Sequence, residues 1–312
     1  MILDCMIVRT DGSVEGAQLT GHEVVAAERD PSVLALAPLM PLRPPGPVLE
    51  AAPPPSWAWT SSLATGHDGA GTTVAIVGRA PVVALAPEAA LIRRDVFDAA
   101  GHATTLQLAE ALADVGRFRA QVALIAVSCD VPGAIAALLA RGYSATAAMA
   151  TAVAHLLATM HALGALIDRL TDAVVIAPVG DDSDRRVDGP GGGTLVPAAG
   201  LVRLPTVLGV GAVALHRAGL IVAPSSNLYP ALVAPGGAET GRGSTVIAAS
   251  YVAGFAAQWW QALGPAATAA KVRAALIAEA STGAFAATPD PADVGAGLVQ
   301  PPRPSVQGSG LS

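Results

Sequence analysis

Gly241 to Ala257, GRGSTVIAASYVAGFAA, joins a glycine-rich turn to an uncharged helical run in which Ala248, Ala249, Ala253, Gly254 and Ala257 are small. A helix that is apolar all round is a buried one, and small residues let it approach its neighbours closely. Its first amides and its dipole make the N-terminus of such a helix a place for a nucleophile or an anion. The rest of the chain is read as the sheet built around it.

Thr72 to Val77 (TTVAIV), Ala89 to Phe97, Val122 to Val127, Ala173 to Ala177, Thr206 to Val213, Leu220 to Val222 and Ala231 to Val233 read as strands. Thr104 to Val115, Ala134 to Leu170 with a break at Arg141-Gly142, and Thr268 to Ala280 have helical spacing. Apolar runs without alternation, separated by helices, indicate a mostly parallel sheet covered by helices on both faces. That is a doubly wound α/β fold. Residues 1 to 30 form a short α+β segment with an Asp11-Gly12 turn, and the proline-dense Pro31 to Pro55 reads as an extended, linker-like stretch. Asp181 to Gly193 is a polar loop, and the Pro/Gly-rich tail from Thr288 is expected on the surface.

Composition excludes several classes. The hydrophobic fraction of 52% comes mainly from Ala and Val, with aromatics at 4%, which describes tight helix-on-sheet packing. A net charge of −6 and the absence of a basic stripe exclude a nucleic-acid surface. Gly142 to Ile167 and Ser244 to Ala270 are long enough to span a membrane, but His155, His161, Gln258, Gln261 and Pro265 interrupt them, and no membrane partner is expected. The N-terminus has Asp4 and no basic n-region, so it does not read as a secretory signal. Cys5 and Cys129 are too few for a disulfide framework or a cysteine metal site, which suits a reduced, cytoplasmic protein with no cofactor and no metal.

Read in order from Ala70 to Pro302, the blocks TTVAIV, ALAPEAALIRRDVF (Ala84 to Phe97), AVSCD (Ala126 to Asp130), VVIAPVGDD (Val174 to Asp182), PTVLGVGAV (Pro205 to Val213), LVAPGG (Leu232 to Gly237), STVIAASYVAG (Ser244 to Gly254) and GAGLV (Gly295 to Val299) resemble the subtilisin-like serine protease family. DPSVLALAP (Asp30 to Pro38) is similar to the end of that family's inhibitory propeptide. The resemblance implies a propeptide-like remnant and linker over 1–55, a subtilisin-like domain over 56–302 and a C-terminal tail over 303–312.

The same resemblance implies that the family's chemistry is missing. Acyl transfer needs an Asp to orient a His, the His to take the Ser proton, and donors for the oxyanion. Gly78 stands where the Asp belongs, and only Arg79 to Leu85 remain where the His-bearing helix belongs. Val246 falls at the nucleophile in a gap-free register; Thr245 reaches it only through an insertion that would turn the helix by about 100°. Asp181, an acceptor when ionised, replaces the oxyanion Asn. Losing one such donor costs about 3 to 4 kcal/mol in the barrier.

Other residues could carry the chemistry. Cys129, beside Ser128, is a candidate thiol nucleophile with His102, His155 or His161 as base, against the plainer reading of a core thiol. His67-Asp68 is a surface loop pair, and His155 and His161 lack the i, i+4 spacing of a helical metal pair. Asp181, Asp182, Asp184 and Asp188 could hold a hard cation but read more simply as a solvated loop. Ser225, Ser226 and Asn227 carry no assigned chemistry, and Trp259-Trp260 is either packing or an anchor for a partner.

The expectation is a subtilisin-like pseudoprotease that binds a peptide or protein partner, in a hetero-oligomer beside an active peptide-processing enzyme. The peptide would add as a strand to edges at Gly101 to Thr104 and Ala126 to Asp130, with Gly101, His102, Ala103, Ala126, Val127, Ser128 and Cys129 as its contacts. The alternative is an enzyme with a relocated nucleophile, Cys129 or Thr245. A third reading has the groove filled by the chain's own first 60 residues.

Overall fold

The apolar runs fold as strands of one sheet because both of their faces are covered. In the computed structural model, which describes residues 2–45, 66–81, 85–185, 193–198, 200–237 and 243–303, β1 (Ile2–Arg9), β2 (Val14–Thr20), α1 (Gly21–Arg29) and β3 (Val33–Pro38) come first. They form a small antiparallel sheet of order β2-β1-β3. A capping box between Thr20 and Glu23 starts α1. β4 (Pro41–Arg43) leaves this module and joins a different sheet.

The central sheet follows: β5 (Thr73–Gly78), β6 (Ala90–Arg94), β8 (Val122–Ala126), β10 (Val174–Pro178), β11 (Val207–His216), β12 (Gly219–Val222) and β13 (Leu232–Pro235). Among the described residues its order is β12-β11-β10-β8-β5-β6, with β13 also pairing β11. Every pairing is parallel except the β11–β12 hairpin. α2 (Thr105–Arg117), α3 (Val131–Ala140) and α4 (Ala145–Ile167) precede β10, while α5 (Thr245–Leu263), α6 (Ala269–Ala278) and α7 (Pro291–Val294) close the chain.

Two cores result, one on each face of the sheet. Val74, Ile76, Leu124, Ile176 and Val210 point to α5 and α6, whereas Ala75, Val77, Ile125 and Val175 point to α2 and α4. Met6, Val8, Ala35 and Ala37 of the N-terminal sheet join the second core. α5 is buried from Thr245 through Gln258, as its small-residue composition requires. Among the described residues α4 alone is long and apolar enough to cross a membrane by length and composition; here Ala162, Leu163, Leu166 and Ile167 pack in the second core.

Two expectations need correction. Pro31 to Arg43 is extended but is not a linker: β3 pairs with β1, and β4 is an interior strand. The tail from Thr288 is not a surface tail up to Pro302, because Val294, Leu298 and Val299 are buried and Leu298 bridges Val233. The linker residues 46–55 and the tail residues 304–312 lie outside the described residues.

Candidate functional site

β4 lies between β7 (Ala103–Thr104) and β9 (Ser128–Cys129). All contacts are antiparallel: Pro41 faces Thr104, Leu42 faces Ala103 on one side and Cys129 on the other, and Arg43 faces Ser128. Flanking bonds extend the ladder. The Thr105 amide donates to the Met40 carbonyl at 2.9 Å and the Asp130 amide to the Pro41 carbonyl at 2.8 Å. The Met40 amide donates to Thr105 Oγ1 at 3.1 Å. Met40 and Leu42 are buried at 1% and 4% exposure, so this strand is a packed part of the fold rather than a passing loop. Pro44 and Pro45 follow, and a residue without an N–H cannot continue the ladder.

Arg43 donates to Asp182 Oδ1 at 2.7 Å. The other carboxylate oxygen of Asp182 accepts from Asn227 Nδ2 at 3.2 Å. Asn227 is 2% exposed and is fixed in turn by the Val179 carbonyl and by Ser183. Gly180 makes room for it: with φ at +103°, a Cβ there would stand 2.6 Å from Asn227 Nδ2. A cavity of about 90 Å³ remains beside Arg43, Cys129, Gly180 and Asp182.

Of the residues expected to hold a peptide, Ala103, Ser128 and Cys129 do form the edges. Gly101 and His102 do not: with Asp98 they close a turn, the His102 amide donating to Asp98 Oδ1 at 2.8 Å, and His102 is 83% exposed. Ala126 belongs to the central strand β8 and Val127 to the core beneath the groove, so neither offers an edge. Leu42, Arg43 and Thr105 join them without having been expected there, Asp130 lies in the expected edge, and Asp182 and Asn227 stand beside Arg43 rather than in a cation loop or an unassigned turn. The one available signal was Asp30 to Pro38, which resembles a propeptide end and points a strand toward the groove.

The C-terminal end of β5 has no room for a side chain at Gly78. Gly78 has φ +88°, and a Cβ there would lie 2.5 Å from the Ala126 carbonyl oxygen. An aspartate does not fit this backbone. Arg79 occupies the space beyond β5, donating to Asp95 Oδ2 at 3.0 Å and stacking on Phe97. Val246 is 1% exposed and part of the core.

Asp181 stands at the N-terminus of α5. Both of its oxygens accept from the Thr245 amide, at 3.0 and 3.3 Å, so it caps α5 from across the fold. Ser244, the residue preceding α5, makes no such side-chain bond. Burial raises the Asp181 carboxyl to about 6; Asp182 adds to the rise, and the Thr245 amide and hydroxyl and Ser225 oppose it. Burial also pushes the Cys129 thiol up to about 12, which keeps it protonated at neutral pH.

The remaining candidates lie as follows. Asp182 is engaged by Arg43 and Asp184 pairs in a bridge with Thr194; Asp188 lies outside the described residues. Among the described residues no group of three or more His, Cys, Asp or Glu is arranged to hold a metal. Asp68 is tied to Gln261, and the half-buried Trp259 donates to the Gln300 carbonyl at 3.1 Å. His155 stands in the cleft between α3, α4 and β1, where burial and Arg141 lower its pKa, and His161 is exposed on α4.

No protein-family description and no curated protein matches the sequence. Solved structures do. The S393A mutant of the epidermin leader peptide processing serine protease EpiP from Staphylococcus aureus superposes with a TM-score of 0.59 at 13% identity, covering 96% of this chain and 92% of that one. The fold is subtilisin-like. Fervidolysin from Fervidobacterium pennivorans, a keratinolytic enzyme related to subtilisin, gives the same TM-score at 14% identity over 96% of this chain and 60% of its own. At these identities the likeness concerns the fold alone, and the chemistry rests on the residues above.

Proposed function

We propose that this chain is a non-hydrolytic subtilisin-like protein whose groove holds an extended peptide by main-chain hydrogen bonds, with residues 41–43 as the resident occupant. The carrying observation is the insertion of β4 between β7 and β9. Main-chain pairing of this kind needs two strand edges and no catalytic side chain. The partner is a peptide or protein presenting an extended segment, which displaces β4 in the cytoplasm. An assembly beside an active peptide-processing enzyme gives such a holder a use, and the likeness to a leader peptide processing protease agrees with that setting.

Hydrolysis or transfer through Cys129 or Thr245 has less support. A thiol near 12 supplies almost no thiolate at neutral pH, and Thr245 is fully buried with its amide committed to Asp181. A fluorophosphonate and an iodoacetamide probe test this directly on the full chain, alongside binding of extended peptides followed by mass spectrometry. The expected result is peptide binding with neither labelling nor cleavage. Stoichiometric labelling lost in Cys129→Ala or Thr245→Ala, or peptide turnover, would overturn the reading.

A further inference from the structure

The resident strand also reports what the groove prefers. We propose that it selects an extended peptide in which an apolar residue is followed directly by arginine, and that Asp182 sets the preference for the cation; this rests on the peptide-holding reading above. The apolar position is the one Leu42 fills, between Ala103 and Cys129 and against Leu108 and Val127. Its neighbour in the strand points the other way, toward the β10 end of the groove.

The basic position is a built one. Asp182 Oδ2 is held by the buried Asn227, which leaves Oδ1 turned to the incoming guanidinium. Asn227 is a positioning residue, itself fixed by five hydrogen bonds with Val179, Asp182 and Ser183. The nearby carboxylate of Asp181 adds negative potential to the same end of the groove, as its mutual repulsion with Asp182 indicates. The resident Arg43 does not satisfy the position fully, because its Nε is buried without a hydrogen-bond partner. An unpaired buried donor weakens the occupant that carries it, so a peptide with freer geometry can replace it. β4 already pairs with both edges, so exchange requires it to leave.

The ion pair is about 40% exposed on each side, so its contribution to affinity is modest and the preference is read best as a charge reversal. The test uses the full chain with Leu42→Asp to release β4, and Leu42→Ala as a milder host should the first melt. Dye-labelled Met-Pro-Leu-Arg-Pro-Pro and Met-Pro-Leu-Glu-Pro-Pro are titrated by fluorescence anisotropy into each host with Asp182 and with Asp182→Lys. The expected result is about tenfold tighter binding of the arginine peptide to the Asp182 protein, with the order inverted by Asp182→Lys. Equal affinities for the two peptides overturn the selectivity and leave the groove reading standing. Failure of both peptides to bind any host removes the groove reading, and the selectivity with it.

Discussion

The groove and the N-terminus of α5 share the C-terminal side of one sheet and make opposite demands on the sequence. The groove retains two strand edges and a strand between them. The α5 terminus has Asp181 bonded to its first amide, a buried Val246 in its first turn, and beyond it a Gly78 too crowded to carry a side chain. The difference lies in what each function asks of the sequence. Strand addition uses backbone N–H and C=O groups that every non-proline residue supplies, so substitution leaves it intact. Acyl transfer asks for particular atoms at particular points, so it tolerates far less substitution than strand addition does.

The sharpest way to break this contrast is to refill the emptied corner. Gly78→Asp combines a side chain at positive φ with a clash on the Ala126 carbonyl, so a thermal melt should reveal a loss of about 3 to 5 kcal/mol. A well-folded variant with the new carboxylate facing Val246 would mean that the corner is merely vacant rather than closed. Emptying the groove is the complementary move. Leu42→Ala removes the best-buried side chain of β4 and should cost about 2 to 4 kcal/mol in chemical denaturation, with faster amide exchange at Thr105 and Asp130.

Asp181 tests the claim that the terminus has been rebuilt as a cap. Its folded-state pKa of about 6 lies above the reference value of 3.8, so between about pH 4 and pH 6 the folded protein binds the proton more tightly than the unfolded chain. Stability therefore falls as pH rises through that window. Asp181→Asn should flatten this dependence and raise stability at pH 7 by at most about 3 kcal/mol, since asparagine also caps helices. A flat wild-type profile across that window would contradict the burial of the charge. The smallest effect is expected at Arg43→Ala, below about 1 kcal/mol because the pair is well exposed, with a salt dependence lost on mutation.

Much of the fold was legible because it rests on periodicity. The uninterrupted apolar runs at β5, β8 and β10 and the small-residue face of α5 can serve only a sheet covered on both faces. The sequence shows Gly78 and Val246 but not their surroundings: the positive φ that bars an aspartate from Gly78 is a property of the folded turn. Pro41 to Arg43 was opaque for a related reason. A short strand that borrows both of its partners from residues far along the chain has no local pattern, and its prolines read as a linker. His102 was drawn into the groove by proximity in sequence, whereas Asp98 folds it outward into a turn. The Arg43–Asp182 pair joins residues 139 positions apart, beyond any spacing rule.

The most direct measurement is hydrogen exchange of the Thr105 and Asp130 amides in the full chain carrying Leu42→Asp, with and without excess Met-Pro-Leu-Arg-Pro-Pro peptide. The account predicts that the substitution exposes both amides, that the peptide restores their protection, and that the peptide is recovered uncut. Protection that the peptide does not restore, or a peptide recovered in two pieces, would contradict it.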